Sequence, residues 1–223
     1  MRLLPLLITA LLLSTGAAQA QESARETAQE PAHEVAEAPA ATGPAALLDS
    51  SYRPSPSISA RLQHDFLSRI RWNVGAPLRD ALVAAFAERK PTEIWQDLVR
   101  ADGLTTNNVV DAVTAYWVLN WVTANGAYSA RIDNAPIRRQ LQRAMASDQG
   151  FLTLNDQQRQ TLAENYVLDF LLEHAALNEA VASKNGAALA RLATASVTRF
   201  RQKMGIDLLS VQPGPDGFAP RPR

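Results

Sequence analysis

The sequence predicts an all-α protein: a single helical-bundle-like domain of about seven helices around a largely buried central helix. Three observations carry that reading. From about residue 57 onward, apolar residues recur at three- and four-residue steps. Helix-capping and helix-stopping residues punctuate those runs at helix-length intervals. No segment alternates convincingly in the manner of a strand, and no internal repeat is visible.

The chain opens with a segment expected to be removed. Arg2 supplies a positive start, Leu3 to Leu13 form an apolar run, and Ala18-Gln19-Ala20 reads as a small-x-small cleavage site, so residues 1–20 are expected to be a secretory signal peptide. The apolar run is shorter than the roughly 20 residues a bilayer span needs. The expected compartment is periplasmic or secreted, with no membrane span in the mature chain. Cysteine is absent, so disulfides, thiol catalysis, cysteine metal sites and a lipidated cysteine anchor are all excluded. Charge is balanced at 22 basic and 22 acidic residues. No overall field favours nucleic acid, and none is expected as a partner.

Residues 21–56 are rich in Ala, Glu and Pro. Glu22, Glu26, Glu30, Glu34, Glu37 and Asp49 stand against Arg25 alone up to residue 50. This acidic stretch has almost no large apolar side chain before Leu47 and is expected to be a disordered leader.

The helical domain is expected over residues 57–210. Ser57 is placed to cap a first helix with Ile58, Leu62, Phe66 and Ile70 inward. A second runs from about Ala76 to Arg89, with Pro77 in its first turn and Leu78, Leu82, Val83 and Phe86 inward; Pro91 stops it. Thr92 caps a short third helix carrying Ile94, Trp95, Leu98 and Val99, ended by Gly103. The fourth, about Asn108 to Ala124, is apolar nearly all round and therefore central. Asn108 and Asp111 there resemble a capping box. Asn134 is placed to cap a fifth helix with Ile137, Leu141 and Met145 inside. Asn155 caps a long sixth helix with Leu162, Tyr166, Phe170, Leu177 and Val181 as its stripe. After Asn185-Gly186, a seventh carries Leu189, Leu192, Phe200 and Met204, ending at Gly205. Residues 211–223, with four prolines, are expected to be a loose C-terminal tail.

Few residues suggest chemistry. Asn120 lies on the face of Val113, Trp117 and Ala124, where a buried amide must find partners. His174 sits beside the stripe of the sixth helix. Asn120, Trp117 and His174 are the candidate ligand contacts, each with a plain structural alternative: a helix-to-backbone tie, core packing, a hydrogen-bonded histidine. The tryptophans at 72, 95, 117 and 121 fit core packing without a cofactor. Asp169 and Glu173 are four residues apart and read as a solvated pair, with Glu164 on a different face. Arg131, Arg138, Arg139 and Arg143 read as a solvated face or as a binding patch for an acidic partner, the leader included. No pair among His33, His64 and His174 has metal-helix spacing. Nucleophile, phosphate-loop and dinucleotide motifs are absent. No catalytic residue, metal or cofactor is predicted.

Several segments carry a resemblance. They are Tyr52-Arg53-Pro54-Ser55-Pro56, the run Gly103 to Ala112, Asp156-Gln157-Gln158 leading to Ala163-Glu164, Gly205-Ile206-Asp207-Leu208, and Gly217-Phe218. In this order they resemble an uncharacterised family of exported bacterial helical proteins, domain of unknown function 6683, over about Tyr52 to Phe218. The resemblance implies a secreted or periplasmic helical domain and no activity. Physically these residues read as caps and helix ends, with Phe218 available as an apolar latch.

The expected function is non-enzymatic binding of a protein partner or small ligand in the cell envelope. The alternative is a cell-wall or glycan hydrolase using an isolated carboxylate such as Glu164, Glu173 or Asp169. The two differ by site: a hydrolase needs a polar cleft with a carboxyl of raised pKa, and a ligand binder a cavity with a few converging polar groups.

Overall fold

A computed structural model describes residues 48–71 and 74–222. Among them are α1 (Pro56–Ile70), α2 (Ala76–Glu88), α3 (Pro91–Val99), α4 (Val109–Asn125), α5 (Asn134–Ala146), α6 (Gln149–Leu152), α7 (Asp156–Ala182) and α8 (Gly186–Met204). A hairpin of β1 (Val211–Gly214) and β2 (Gly217–Pro220) follows. The signal segment, nearly all of the acidic leader with His33, and Trp72 lie outside the described residues.

The fold is all-α, with α4 at its centre. No α4 residue is exposed; only Val118, Val122, Ala124 and Asn125 are partly so. Its neighbours are α5, α7 and α8, which accounts for a helix apolar on nearly every side. Asn108 Oδ1 caps it by accepting from the Asp111 N–H at 3.1 Å, and Gly126 ends it at φ 64°. The carboxylate of Asp111 does not complete a capping box. It accepts instead from the Thr105 N–H at 3.0 Å and Oγ1 at 2.8 Å, and pairs with Arg138. Arg138 is thereby a helix tie, not part of a free arginine face.

Helix α7, 27 residues long, is the second organiser. It meets α4 and α8 as well as α1, α2 and α3. Because neighbours cover it on several sides, its buried set (Ala163, Val167, Leu168, Phe170, Leu171, Leu177) departs from the single expected stripe, and Val181 is exposed. Val83 and Leu98, expected inward on α2 and α3, also lie outside the core. The start of α7 is a complete capping box between Asn155 and Gln158.

Boundaries shift by a residue or two where chains of capping residues compete. Ser55, not Ser57, precedes α1, and Asp133, not Asn134, caps α5. The short α6, capped by Asp148, was not foreseen; it buries Phe151. Residues 48–56, assigned to the leader by composition, belong to the domain. Ser51 bridges Asn108 and Tyr52 is buried.

The C-terminal segment differs most from expectation. It is a hairpin, not a loose tail: Val211 pairs with Pro220 and Gly214 with Gly217. Phe218 is 6% exposed and packs against Trp117 and Trp121, with ring centroids 6.1 and 6.3 Å apart. Trp121 Nε1 donates to the Val211 carbonyl at 2.9 Å. Gln140 of α5 accepts from the Phe218 N–H (2.8 Å) and donates to its carbonyl (2.9 Å). Gly217 has φ 113°, and a Cβ there would lie 2.8 Å from Gln140 Cβ, so this turn requires glycine. Composition alone read the prolines as looseness; edge strands tolerate them.

Candidate functional site

The N-terminal segment, α1, α3, α7 and the loop entering α4 line a cleft of about 640 Å³. Ser59 and Gln63 come from α1, Gln96 and Asp97 from α3, Thr106 and Asn107 from the loop, and Glu164 from α7. Gln96 fastens the loop to α3: its Oε1 accepts from the Thr106 N–H (2.8 Å) and its Nε2 donates to the Leu104 carbonyl (2.9 Å). Asn107 sits at φ 61°, a left-handed conformation asparagine tolerates better than most residues. Its carbonyl accepts from the Tyr52 N–H at 3.1 Å, which anchors the N-terminal wall.

Glu164 is the chemically distinctive group. It is 4% exposed, yet it lines the cleft. Ser59 Oγ (2.9 Å) and Gln160 Nε2 (2.8 Å) both donate to Oε1. Oε2 accepts no hydrogen bond from the described residues. Gln160 is itself fully engaged, accepting from the Ser55 N–H (2.9 Å) and donating to the Ser55 carbonyl (2.9 Å) and Ser59 Oγ (3.0 Å). Burial pushes the Glu164 carboxyl above the usual range; the Gln160 and Ser59 donors oppose this without cancelling it. The nearby phenol of Tyr52 is raised by its own burial and by the Glu164 charge.

The mouth is differently charged. Asp97 receives Arg89 at 2.6 Å and Arg100 at 2.8 Å, and the hydrogen bond from Arg89, with both charges, holds its carboxyl below the usual range. Lys90 pairs with Glu93 at 3.6 Å.

A second polar cluster ties α4, α7 and α8 together. Asn120, fully buried, donates to the Tyr116 carbonyl (2.9 Å) and Glu173 Oε2 (2.8 Å) and accepts from Arg199 Nη1 (2.9 Å). Glu173 also pairs with Arg199. Burial pushes Glu173 up to about 7, against the pull of Arg199. Asp169, also raised by burial, pairs with Arg69 at 3.0 Å. Asp169 and Glu173 are therefore ion-paired groups against neighbouring helices, not the solvated pair expected from their spacing.

The three candidate contacts do not converge, and none lines the cleft. Asn120 belongs to the interhelical cluster. Trp117 packs edge-on to Phe200 at 5.2 Å, its Nε1 buried without a partner among the described residues. His174, half-buried, stacks on Phe170 at 5.5 Å with Asn178 within 3.3 Å, and burial lowers its pKa. Sequence reasoning missed the cleft itself. The available signal was Gln160 and Glu164, two polar residues one turn apart on an otherwise apolar helix face.

Among the described residues no group of three metal-ligating side chains is present, and no helix is long and apolar enough to cross a membrane. Three segments that carry the sequence resemblance meet at the cleft, through Pro54 and Pro56, Thr106 and Asn107, and Glu164. No curated protein and no solved structure matches the chain. A model of a family of unknown function, DUF6683, matches residues 7–217, and the chain belongs to that family.

Proposed function

We propose that this DUF6683 protein is an exported binding module that holds a small polar ligand in the cleft between α1, α3 and α7. The observation that carries the reading is the second oxygen of Glu164, which accepts no hydrogen bond among the described residues on a side chain that lines the cleft. A hydrogen bond to a charged group contributes about 1.5–3 kcal/mol, and a ligand donor reaching this oxygen would supply one. The cleft's volume lies within the range of small-molecule sites. Gln63, Thr106 and Asn107 supply further polar contacts at its wall. Export is supported by the pattern of residues 1–20.

Native mass spectrometry of the full chain purified from its own envelope tests this. A small molecule should accompany the wild type and be lost from Glu164→Ala; an empty wild type would count against the reading.

One observation favours a second reading. A cleft carboxyl raised by burial is the property a general acid needs, so Glu164 acting on a cell-wall glycan is the alternative. Release of soluble fragments from purified cell wall, abolished in Glu164→Gln, would establish it.

A further inference from the structure

The charges of the cleft are separated, and the separation describes a ligand. At the floor, the protein donors to Glu164 are both neutral, Ser59 and Gln160, and no cation lies in ion-pair contact with it among the described residues. A buried carboxylate with only neutral donors is an uncompensated negative charge. At the mouth, the two guanidinium groups of Arg89 and Arg100 share the single carboxylate of Asp97. That cluster keeps one positive charge in excess. Lys90 and Glu93 cancel each other. The two poles belong to one cavity.

We infer that the ligand is a zwitterion of the amino-acid or short-peptide class, its ammonium group set against Glu164 Oε2 and its carboxylate against Arg89 and Arg100. This rests on the reading that the cleft holds a ligand, and it names which one. An ammonium group brings the donor that Oε2 lacks together with the charge that the floor lacks. A carboxylate suits the planar fork of an arginine better than any neutral group does. A neutral polyol would satisfy the hydrogen bond and leave both poles uncompensated. A simple anion would meet the carboxylate at the floor.

The floor contact should dominate. The arginines are about half or more exposed, so water and salt weaken them, whereas Glu164 is shielded. Affinity should therefore fall more on blocking the ligand's ammonium group than on blocking its carboxylate.

The test is a thermal-shift screen, followed by calorimetry, of the full chain against the free amino acids and a panel of unmodified dipeptides. N-acetylated and C-amidated counterparts, and the neutral disaccharide cellobiose, complete the panel. At least one free zwitterion should bind. Its N-acetyl form should bind about tenfold or more weakly, its amide less severely so, and Glu164→Gln should weaken the free form about tenfold or more. The blocked ligands are compared on the wild-type chain, so a variant that folds poorly does not decide the outcome. Binding of cellobiose or of an N-acetylated dipeptide as tightly as the free form would overturn the inference. So would a panel in which no zwitterion binds. If the protein from its own envelope nevertheless carries a small molecule that is lost in Glu164→Ala, the zwitterion alone is refuted and the cleft remains a binding site. An empty protein in both experiments refutes the two together.

Discussion

Asn120 of α4 donates to Glu173 Oε2 of α7 at 2.8 Å, and the same amide accepts from Arg199 of α8 through its oxygen. One side chain thus satisfies groups on two of the helices that flank the central one. Both donors and the acceptor oxygen of this fully buried amide are engaged within the protein, which makes it a fastening between helices.

Asn120→Ala should therefore destabilise the fold by about 2–3 kcal/mol, since it removes a partner from a buried carboxylate and from a guanidinium at once. Urea denaturation measures it. A loss under about 0.5 kcal/mol, the size of an ordinary surface change, would contradict the role.

The same cluster makes stability depend on pH. Glu173 is raised from 4.5 to about 7 in the folded state, so between those values the folded chain holds a proton that the unfolded chain releases. Its contribution is fully present below about pH 4.5 and is lost as pH rises toward 7. Glu164 and Asp169, also raised by burial, act in the same direction. Unfolding free energies across this range should fall with pH in the wild type and fall less steeply in Glu173→Gln. Equal slopes would show that Glu173 ionises normally.

The hairpin should be a working part of the core. Phe218→Ala removes a buried ring from Trp117 and Trp121 and should cost about 3 kcal/mol. Gly217→Ala should be nearly as harmful, because its Cβ would displace Gln140, the residue that holds both backbone groups of Phe218. Red-shifted tryptophan emission without loss of helical circular dichroism would identify detachment of the hairpin. Wild-type stability in both variants would return these residues to a free tail.

Asp111 should be the most sensitive polar residue at the start of α4. It is 1% exposed and takes the Thr105 N–H, the Thr105 hydroxyl and the Arg138 guanidinium. Asp111→Ala should cost about 2–3 kcal/mol, more than a typical cap at about 1 kcal/mol, because it removes the buried charged acceptor that holds Thr105 and Arg138 at the start of α4. Chemical denaturation of Asp111→Ala beside Asn108→Ala separates the two effects, and an equal cost for both would reject the added role.

How much of this was legible in the sequence follows from how local each feature is. The central place of α4 was legible because Val109 to Val122 leaves no polar face to turn outward. The cap at Asn155 was legible because asparagine stands before a helix-periodic apolar run. The need of Asn120 for partners was legible, though not their identity, since Glu173 and Arg199 come from distant helices. The cleft was not legible. Glu164 acquires its character from Ser59, 105 residues earlier in the chain, and no local pattern announces that meeting. Phe218 was legible as an apolar latch, but the hairpin that carries it was hidden for the same reason: the rings it meets lie on α4 and its clamp on α5, while its own neighbourhood reads as proline and glycine.

The measurement that bears most directly on the central claim is a calorimetric titration of wild type and Glu164→Gln with the compound recovered from the native protein. A free carboxylate oxygen that receives the ligand predicts binding about tenfold or more weaker in the variant, with folding preserved. Equal affinity in the two proteins would mean that Glu164 is only a buried strut between α1 and α7 and that the cleft above it is not where this protein meets its ligand.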